Sequence, residues 1–250
     1  MLSLDGEQHP RQITLRAIGT EFTNWGAEPA YIARTHVLDQ TLELWKPARE
    51  GDALPAGAHA FPFAVELPPD LPPTFEGMLT EIGYGLRAKV DLPRHIDLHA
   101  EAGFIVLAIV QSPEDTPVAV DASDESGRAI ALELPRSAYR LGDAVSGTVR
   151  VVRTGEGQAR RLTMELLSKE RGSAQGVWTE HVEREADVRI ELTHATEGAT
   201  YLFTFTIPDS AVPSFSGTHS SLAWHVSARL NVARAQDLVA ETEIAVVEID

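Results

Sequence analysis

The sequence contains no cysteine, which excludes disulfide bonds and metal sites built on thiolates. It also has no run close to the roughly 18 apolar residues that a membrane-spanning helix needs. Its start, MLSLDGEQHP, has neither the basic nor the apolar part of a signal peptide. We therefore expect a soluble, cytoplasmic protein that does not insert into a membrane.

Lysine is scarce, since only Lys46, Lys89 and Lys169 are lysines among 21 basic residues. The formal net charge is −16, with the acidic residues spread along the chain. A field of this sign repels DNA, RNA and anionic lipid, so nucleic acid is not expected as a partner. The preference for arginine, together with abundant alanine, indicates a GC-rich bacterial genome.

What the sequence does contain is an internal repeat. Sliding the chain against itself aligns its two halves in one register, without a gap, from Phe63 to Val106. Upstream the register shifts, so that Ile13 falls on Leu162. The aligned pairs include Phe63 with Phe203, Leu67 with Ile207, Phe75 with Phe215, Gly77 with Gly217, Tyr84 with Trp224 and Val106 with Val246. Two copies of so long a unit predict two domains, residues 1–112 and 113–250, joined by the linker QSPEDTP at 111–117.

The hydrophobic pattern alternates with period two, which is typical of β-strands. Ile13, Leu15 and Ala17 alternate with polar residues, as do Phe203, Phe205 and Ile207. Residues 23–35 alone have a helical spacing, interrupted by Gly26 and Pro29. Short alternating strands separated by Gly, Pro and Asp predict an all-β fold of two tandem, immunoglobulin-like antiparallel β-sandwiches.

Prolines punctuate both copies after an alternating run. The stretch LPPDLPPTFEG (67–77) follows the run from Phe61 to Leu67, and a related loop follows Ile207. Proline cannot donate to a β-ladder, so each run should end there and an extended loop should cross the end of the sandwich. The residues predicted to hold this structure are Pro68, Pro73, Phe75, Gly77, Pro208, Pro213, Phe215 and Gly217. We expect the two phenylalanines to plug their cores.

These segments resemble the arrestin fold family. FPFAVELPPDLPPTFEG (61–77) followed by IGYGLRAKVDLP (82–93) is similar to its strand, its proline-bounded loop ending in Ser/Thr-Phe-Glu-Gly, and its next strand. YRLGDAVSGTVRV (139–151) is similar to the segment that opens such domains. The resemblance implies a non-enzymatic adaptor or scaffold without a cofactor, whose protein partner is unknown, and the bacterial sporulation-control members are the nearest group.

The first copy has no counterpart of residues 129–150, so its leading strand is missing. One reading is that the true start lies upstream or that the chain was cut. The other is that the open edge of the first domain takes a strand from a partner, or from a second copy in a homo-oligomer, because unpaired sheet edges are templates for pairing.

Few residues suggest chemistry. In RHIDLH (94–99) a strand would place His95, Asp97 and His99 on one face, as a zinc or nickel set would require. Yet same-face residues two apart lie about 7 Å apart and rarely converge on one ion. His219 beside Ser220 and Ser221 gives only a weak nucleophile pattern. A carbohydrate- or metal-binding module is the alternative function, with an enzyme the third.

Overall fold

The computed structural model describes residues 1–27, 30–49, 51–107, 115–154, 159–192, 197–233 and 235–247. Every regular element within these residues is a β-strand, and the sheets are mainly antiparallel. The all-β prediction is therefore confirmed. The chain divides into unit 1, which is Met1–Leu107 with Gly217–His219, and unit 2, which is Ala108–Ser216 with Ser220–Asp250. The boundary predicted at 112/113 and residues 111–114 of the linker lie outside the described residues.

Unit 1 is built around one large sheet. Its strands are β1 (Leu2–Leu4), β2 (Gln12–Trp25), β3 (Tyr31–Trp45), β4 (Gly57–His59), β5 (Phe75–Glu76), β6 (Thr80–Asp91) and β7 (Leu98–Phe104). The large sheet has the order β3-β2-β6, and both β5 and β7 pair with the free side of β6. The second sheet consists of β1 and β4.

The alternating pattern sets the faces of the large sheet. In β2, Ile13, Leu15 and Ala17 are buried, and they pair across the ladder with Val90, Ala88 and Leu86 of β6. A one-residue slip would turn this apolar set outward, so the pattern also fixes the register. At one end, β1 covers Ile13 and Val90 with Leu4.

The helical spacing of residues 23–35 was misleading. β2 ends at Trp25, β3 begins at Tyr31 and the two strands pair antiparallel, so most of this segment lies in the two arms of a hairpin. Gly26 has a φ of 80°, which turns the chain out of the strand and is readily adopted by glycine. The rings of Trp25 and Tyr31 stack across the hairpin with centroids 5.6 Å apart.

Unit 2 is a sandwich of two sheets. Its strands are β8 (Val118–Ser123), β9 (Arg128–Leu134), β10 (Ala138–Arg140), β11 (Ala144–Thr154), β12 (Ala159–Ala174), β13 (Val177–Glu191), β14 (Thr200–Thr206), β15 (Phe215–Ser216), β16 (Ser220–Val232) and β17 (Leu238–Val247). One sheet has the order β10-β17-β16-β12-β13, with β15 beside β16, and the other has the order β14-β11-β9-β8. Residues of both sheets, including Leu132, Val149, Leu166 and Trp224, share one core.

The large sheets of the two units have the same strand order. β3-β2-β6, with β5 and β7 beside β6, corresponds to β13-β12-β16, with β15 and β17 beside β16. The difference lies in the second sheet, because unit 2 covers its large sheet with β14-β11-β9-β8 and the described part of unit 1 has β1 and β4. The run from Phe61 to Leu67 was expected to be a strand, yet residues 60–67 form none. No described strand forms a ladder with them, and a strand is defined by its ladder.

Candidate functional site

Unit 1 has an apolar groove beside Phe61 and Phe63, on the inner face of its large sheet. Its lining includes Leu15, Leu44, Phe61, Phe63, Leu86 and Leu98. The volume is about 320 Å³. The groove therefore lies where the second sheet of a complete sandwich would pack.

The equivalent side chains in unit 2 show how much of this surface is uncovered. Phe63 is 50% exposed, whereas Phe203, its counterpart in the repeat, is 4% exposed. Leu67 is 47% exposed and Ile207 is fully buried. In unit 2, β11 pairs with the whole of β14 and closes the sheet at this point. The exposure in unit 1 follows because β1 pairs only with Gly57–His59.

The large sheet below the groove is also uncovered in part. Leu86 and Ala88 of β6 are half-buried, while Val226 and Ala228 of β16 are fully buried. Leu98 at the start of β7 is exposed as well. The groove is thus a continuous apolar face rather than a single exposed side chain, and such faces mark interaction sites.

The proline-bounded loops make the same hydrogen bonds in both units. Thr74 N–H donates to the C=O of Val106 at 2.8 Å, and Val106 N–H donates to Thr74 Oγ1 at 2.9 Å. Ser214 N–H donates to the C=O of Val246 at 2.9 Å, and Val246 N–H donates to Ser214 Oγ at 3.1 Å. The Ser/Thr before each phenylalanine therefore clamps the loop to the segment that follows β7 or ends β17. The sequence motif contained this residue, but its partner could not be read from the motif.

A buried aromatic residue holds each loop from the sheet side. Tyr84 Oη donates to the C=O of Pro72 at 2.6 Å, and Trp224 Nε1–H donates to the C=O of Val212 at 3.0 Å. Burial, and secondarily the negative charge of Glu21, raises the pKa of Tyr84 to about 12. Tyr84 is therefore a neutral donor at physiological pH.

The other predicted structural residues lie in and around these loops. Phe75 is buried and pairs with Ile82, while Phe215 is half-buried and pairs with Leu222. Pro73 and Pro213 are buried, Pro68 is exposed, Pro208 and Gly217 are half-buried, and Gly77 is exposed. Gly77 N–H donates to the C=O of Thr80 at 2.9 Å, and its φ is not positive. The turn after the loop therefore does not require a glycine on conformational grounds.

The strand predicted over 94–99 is wrong for most of its length. Residues 92–97 form the turn between β6 and β7, and Arg94 has a φ of 66°. Asp97 accepts a hydrogen bond from Leu92 N–H at 3.1 Å and forms an ion pair with Lys89 Nζ at 2.9 Å. The hydrogen bond from Lys89 is the main reason that the pKa of Asp97 lies below its usual value. His95 lies in the turn and His99 in β7, so the three do not share a strand face. In the part of the chain that the structure describes, no three His, Cys, Asp or Glu side chains form a group that could hold a metal ion.

His219 has partners other than the adjacent serines. Its ring Nε2 lies 2.8 Å from Thr35 Oγ1, within unit 1. The fully buried carboxylate of Glu21 accepts hydrogen bonds from the backbone N–H groups of Thr218 and His219, both at 2.9 Å. Backbone amides thus hold both oxygens of this carboxylate.

A charged cluster on unit 2 was not predicted. Glu241 pairs with Lys169 and lies 3.2 Å from His225 Nδ1. The hydrogen bond from His225 and then the one from Lys169 lower the pKa of Glu241 to about 2, against the effect of burial. The cluster lines a polar pocket of about 660 Å³ that also includes Trp178. Its members come from three strands, so only the sheet register brings them together.

The chain is an all-β protein built of mainly antiparallel sheets, and one unit has an uncovered apolar groove. The described residues contain no helix long and apolar enough to cross a membrane.

Comparison with known proteins agrees with this organisation. Residues 3–112 match the sequence model of the arrestin (or S-antigen) N-terminal domain family. Arrestin domain-containing protein 17 of Caenorhabditis elegans is 31% identical over 103 residues, an alignment that covers 41% of this chain and 23% of the relative. The chain thus matches less than a quarter of that relative's length. These matches support an arrestin-like family for the first half of the chain.

Proposed function

We propose that this protein is a non-enzymatic, arrestin-like adaptor or scaffold that binds another protein through the groove of unit 1. The observation that carries the proposal is the exposure of Phe63, which lines the groove, and of Leu67, because their counterparts in unit 2 are buried. Contiguous exposed apolar surface is uncommon on soluble proteins unless it binds something. The match of residues 3–112 to the arrestin N-terminal domain supports the same class of function.

The proposal includes the organisation and setting of the chain. We infer two related domains at 1–112 and 113–250, held by the proline-bounded loops and their residues Pro68, Pro73, Phe75, Gly77, Pro208, Pro213, Phe215 and Gly217. The equivalent hydrogen bonds of Thr74 and Ser214, which occupy the same position in the two copies, support the repeat. The excess of arginine over lysine favours a bacterial source, and the lack of cysteine is compatible with a cytoplasmic regulatory role.

The test is photo-crosslinking in the cells that make the protein. p-Benzoylphenylalanine is introduced in place of Phe63 or, as a control, in place of Val182, which has a similar exposure of 47% but lies on β13 of unit 2. We expect a discrete protein adduct from position 63 that is absent from position 182. The same adducts from both positions, or none from position 63, would contradict the proposal.

A ligand-binding module is the second candidate, and Trp178 favours it. Its ring is 61% exposed, lies beside the polar pocket of unit 2, and has Arg171 stacked at 4.6 Å. Exposed aromatic rings beside polar groups are suited to bind sugar rings. Screening the chain and its Trp178→Ala variant against a glycan array tests this candidate, since binding that depends on Trp178 would support it and no binding would remove it.

A further inference from the structure

We propose that unit 1 binds its partner as an added β-strand, with an extended, alternately apolar and weakly basic segment lying antiparallel along residues 61–66. This inference rests on the proposed function and names the chemistry of the partner at the same groove. It follows from the register of unit 2, where a strand of this chain occupies the corresponding place.

The ladder of unit 2 shows which backbone groups face the occupying strand. Ile207 N–H donates to the C=O of Asp143 at 3.0 Å, and Val151 N–H donates to the C=O of Ala199 at 2.9 Å. Hydrogen-bonded pairs alternate along an antiparallel ladder with period two. Between these ends, the residues of β14 that exchange hydrogen bonds with β11 are therefore the odd-numbered ones, Tyr201, Phe203 and Phe205.

Unit 1 keeps this register where β1 pairs with β4. Leu2 pairs with His59, and their counterparts in the repeat are Val151 and Ala199. The same register can be continued along residues 61–65, which we call the open edge of unit 1. Phe63 then takes the hydrogen-bonding position that Phe203 has in unit 2. Phe61 and Val65 take the same role on either side. Three residues thus present N–H and C=O groups where the described chain supplies no strand.

The prolines of this segment do not obstruct such a ladder. Pro62 aligns with Leu202 in the repeat, so its missing N–H falls on the side away from the open edge. Glu66 belongs to the same even-numbered set, and its C=O accepts a hydrogen bond from Gln40 Nε2 at 2.6 Å. The even-numbered groups therefore face the rest of unit 1, and the odd-numbered groups stay available to a strand.

The chemistry of the occupant follows from β11 and from charge. The residues of β11 that lie opposite the odd-numbered positions of β14 are Val145, Gly147 and Val149. Both valines are fully buried in the core of unit 2. Residues 1–107 carry 15 acidic and 8 basic side chains, a net charge of −7. A segment with small or branched apolar residues at alternate positions and a net positive charge suits this edge. A second copy of the chain suits it less, because pairing two such edges would bring two acidic units together.

A peptide taken from this chain, with one acidic and one basic side chain, provides a probe of the backbone pairing alone. The sequence Asp143–Val151, DAVSGTVRV, is titrated into the full-length protein while the backbone amide signals of Phe61, Phe63 and Val65 are followed by NMR. Two matched peptides are N-methylated at three positions each. One carries the methyl groups at Val145, Gly147 and Val149, whose N–H groups would bond to unit 1, and the other carries them at Ser146, Thr148 and Arg150.

We expect the unmodified peptide to protect the three amides from exchange. Methylation of the odd-numbered positions should weaken binding by about tenfold or more, because three hydrogen bonds are lost, and methylation of the even-numbered positions should change it by less than about threefold. A matched pair of protein variants repeats the test from the other side. Val65→Pro removes an N–H at the open edge and should abolish binding, whereas Ala64→Pro removes one on the far side and should retain it.

The outcomes separate this inference from the proposed function. No binding, or equal loss with both methylated peptides, overturns strand addition, while a crosslinked partner at position 63 would leave the adaptor role standing. Concentration-dependent dimerisation that Val65→Pro abolishes would identify a second copy as the occupant and would also overturn the proposal. Absence of both the peptide complex and any crosslinked partner would remove the two together.

Discussion

Replacing Ser214 with alanine isolates the clamp that the proline-bounded loop makes in unit 2. The substitution deletes one hydroxyl and leaves the backbone bond from Ser214 N–H to Val246 C=O in place. The N–H of Val246 loses its acceptor, Ser214 Oγ, which lies 3.1 Å away. Val246 is fully buried, so water cannot readily replace that oxygen. An unsatisfied buried amide costs about 1–3 kcal/mol, and we expect the free energy of unfolding of unit 2 to fall by that amount.

The assay combines urea unfolding with hydrogen exchange at the Val246 amide. Exchange reports the clamp directly, because this amide should become less protected than its neighbours in β17. Ser214→Thr is the matched control and should retain the stability and the Val246 protection, since Thr74 makes the same pair of hydrogen bonds in unit 1. Ser216→Ala, at an exposed position, should shift stability by less than about 0.5 kcal/mol. Unchanged protection of Val246 in Ser214→Ala would refute the clamp.

Three further predictions test the loops and the charged cluster. Tyr84→Phe should make the free energy of unfolding depend less on pH in the alkaline range. The pKa of Tyr84 is about 12 in the fold against 10.0 ordinarily, so its contribution to stability is complete below pH 10 and is lost towards pH 12. A pH series of urea midpoints tests this, and the same alkaline loss in both proteins would contradict it. Glu241→Gln should make stability depend less on pH in the acid range. A carboxylate whose pKa falls from 4.5 to about 2 contributes roughly 1–3 kcal/mol of stability above pH 4.5, once solvent screening is allowed for, and this contribution is lost as the pH falls to 2. The same loss of stability in acid in both proteins would refute this prediction. Phe75→Ala should cost about 3–5 kcal/mol if its ring plugs the core, and Phe215→Ala less because its ring is only half-buried; unchanged urea midpoints would rule out the plug.

The sequence was informative wherever local pattern and local structure coincide. Alternation predicted the faces of β2 and β14 because one side of each strand is buried, and in unit 2 the proline predicted where β14 ends. It failed at RHIDLH, where alternation suggested a strand but Arg94 takes a positive φ in a turn. Alternation over so few residues does not distinguish a strand from a turn that happens to carry the same residue types.

Features that depend on distant partners could not be predicted. The run from Phe61 to Leu67 has the alternation of a strand, and what prevents one is the lack of a neighbour in the described chain. A strand is defined by its ladder, so the pattern is necessary without being sufficient. The cluster of Lys169, His225 and Glu241 is a similar case, because its members come from β12, β16 and β17 and converge only through the register of these strands.

The size of the groove sets how strongly a free segment can bind. Fixing the backbone of six residues costs about 1–2 kcal/mol each. Against this stand hydrogen bonds worth about 0.5–1.5 kcal/mol each and the remaining burial of half-exposed side chains such as Phe63 and Leu67, each at most about 1.5–3 kcal/mol for full burial. These terms offset one another to within a few kcal/mol, so a flexible peptide should bind weakly, with a Kd of about 1 mM, which the NMR titration of the peptide Asp143–Val151 still detects. A segment already held extended within a folded partner has lost most of that entropy beforehand and should bind much more tightly. The groove therefore favours a partner that presents a preformed strand over one that must order a disordered tail.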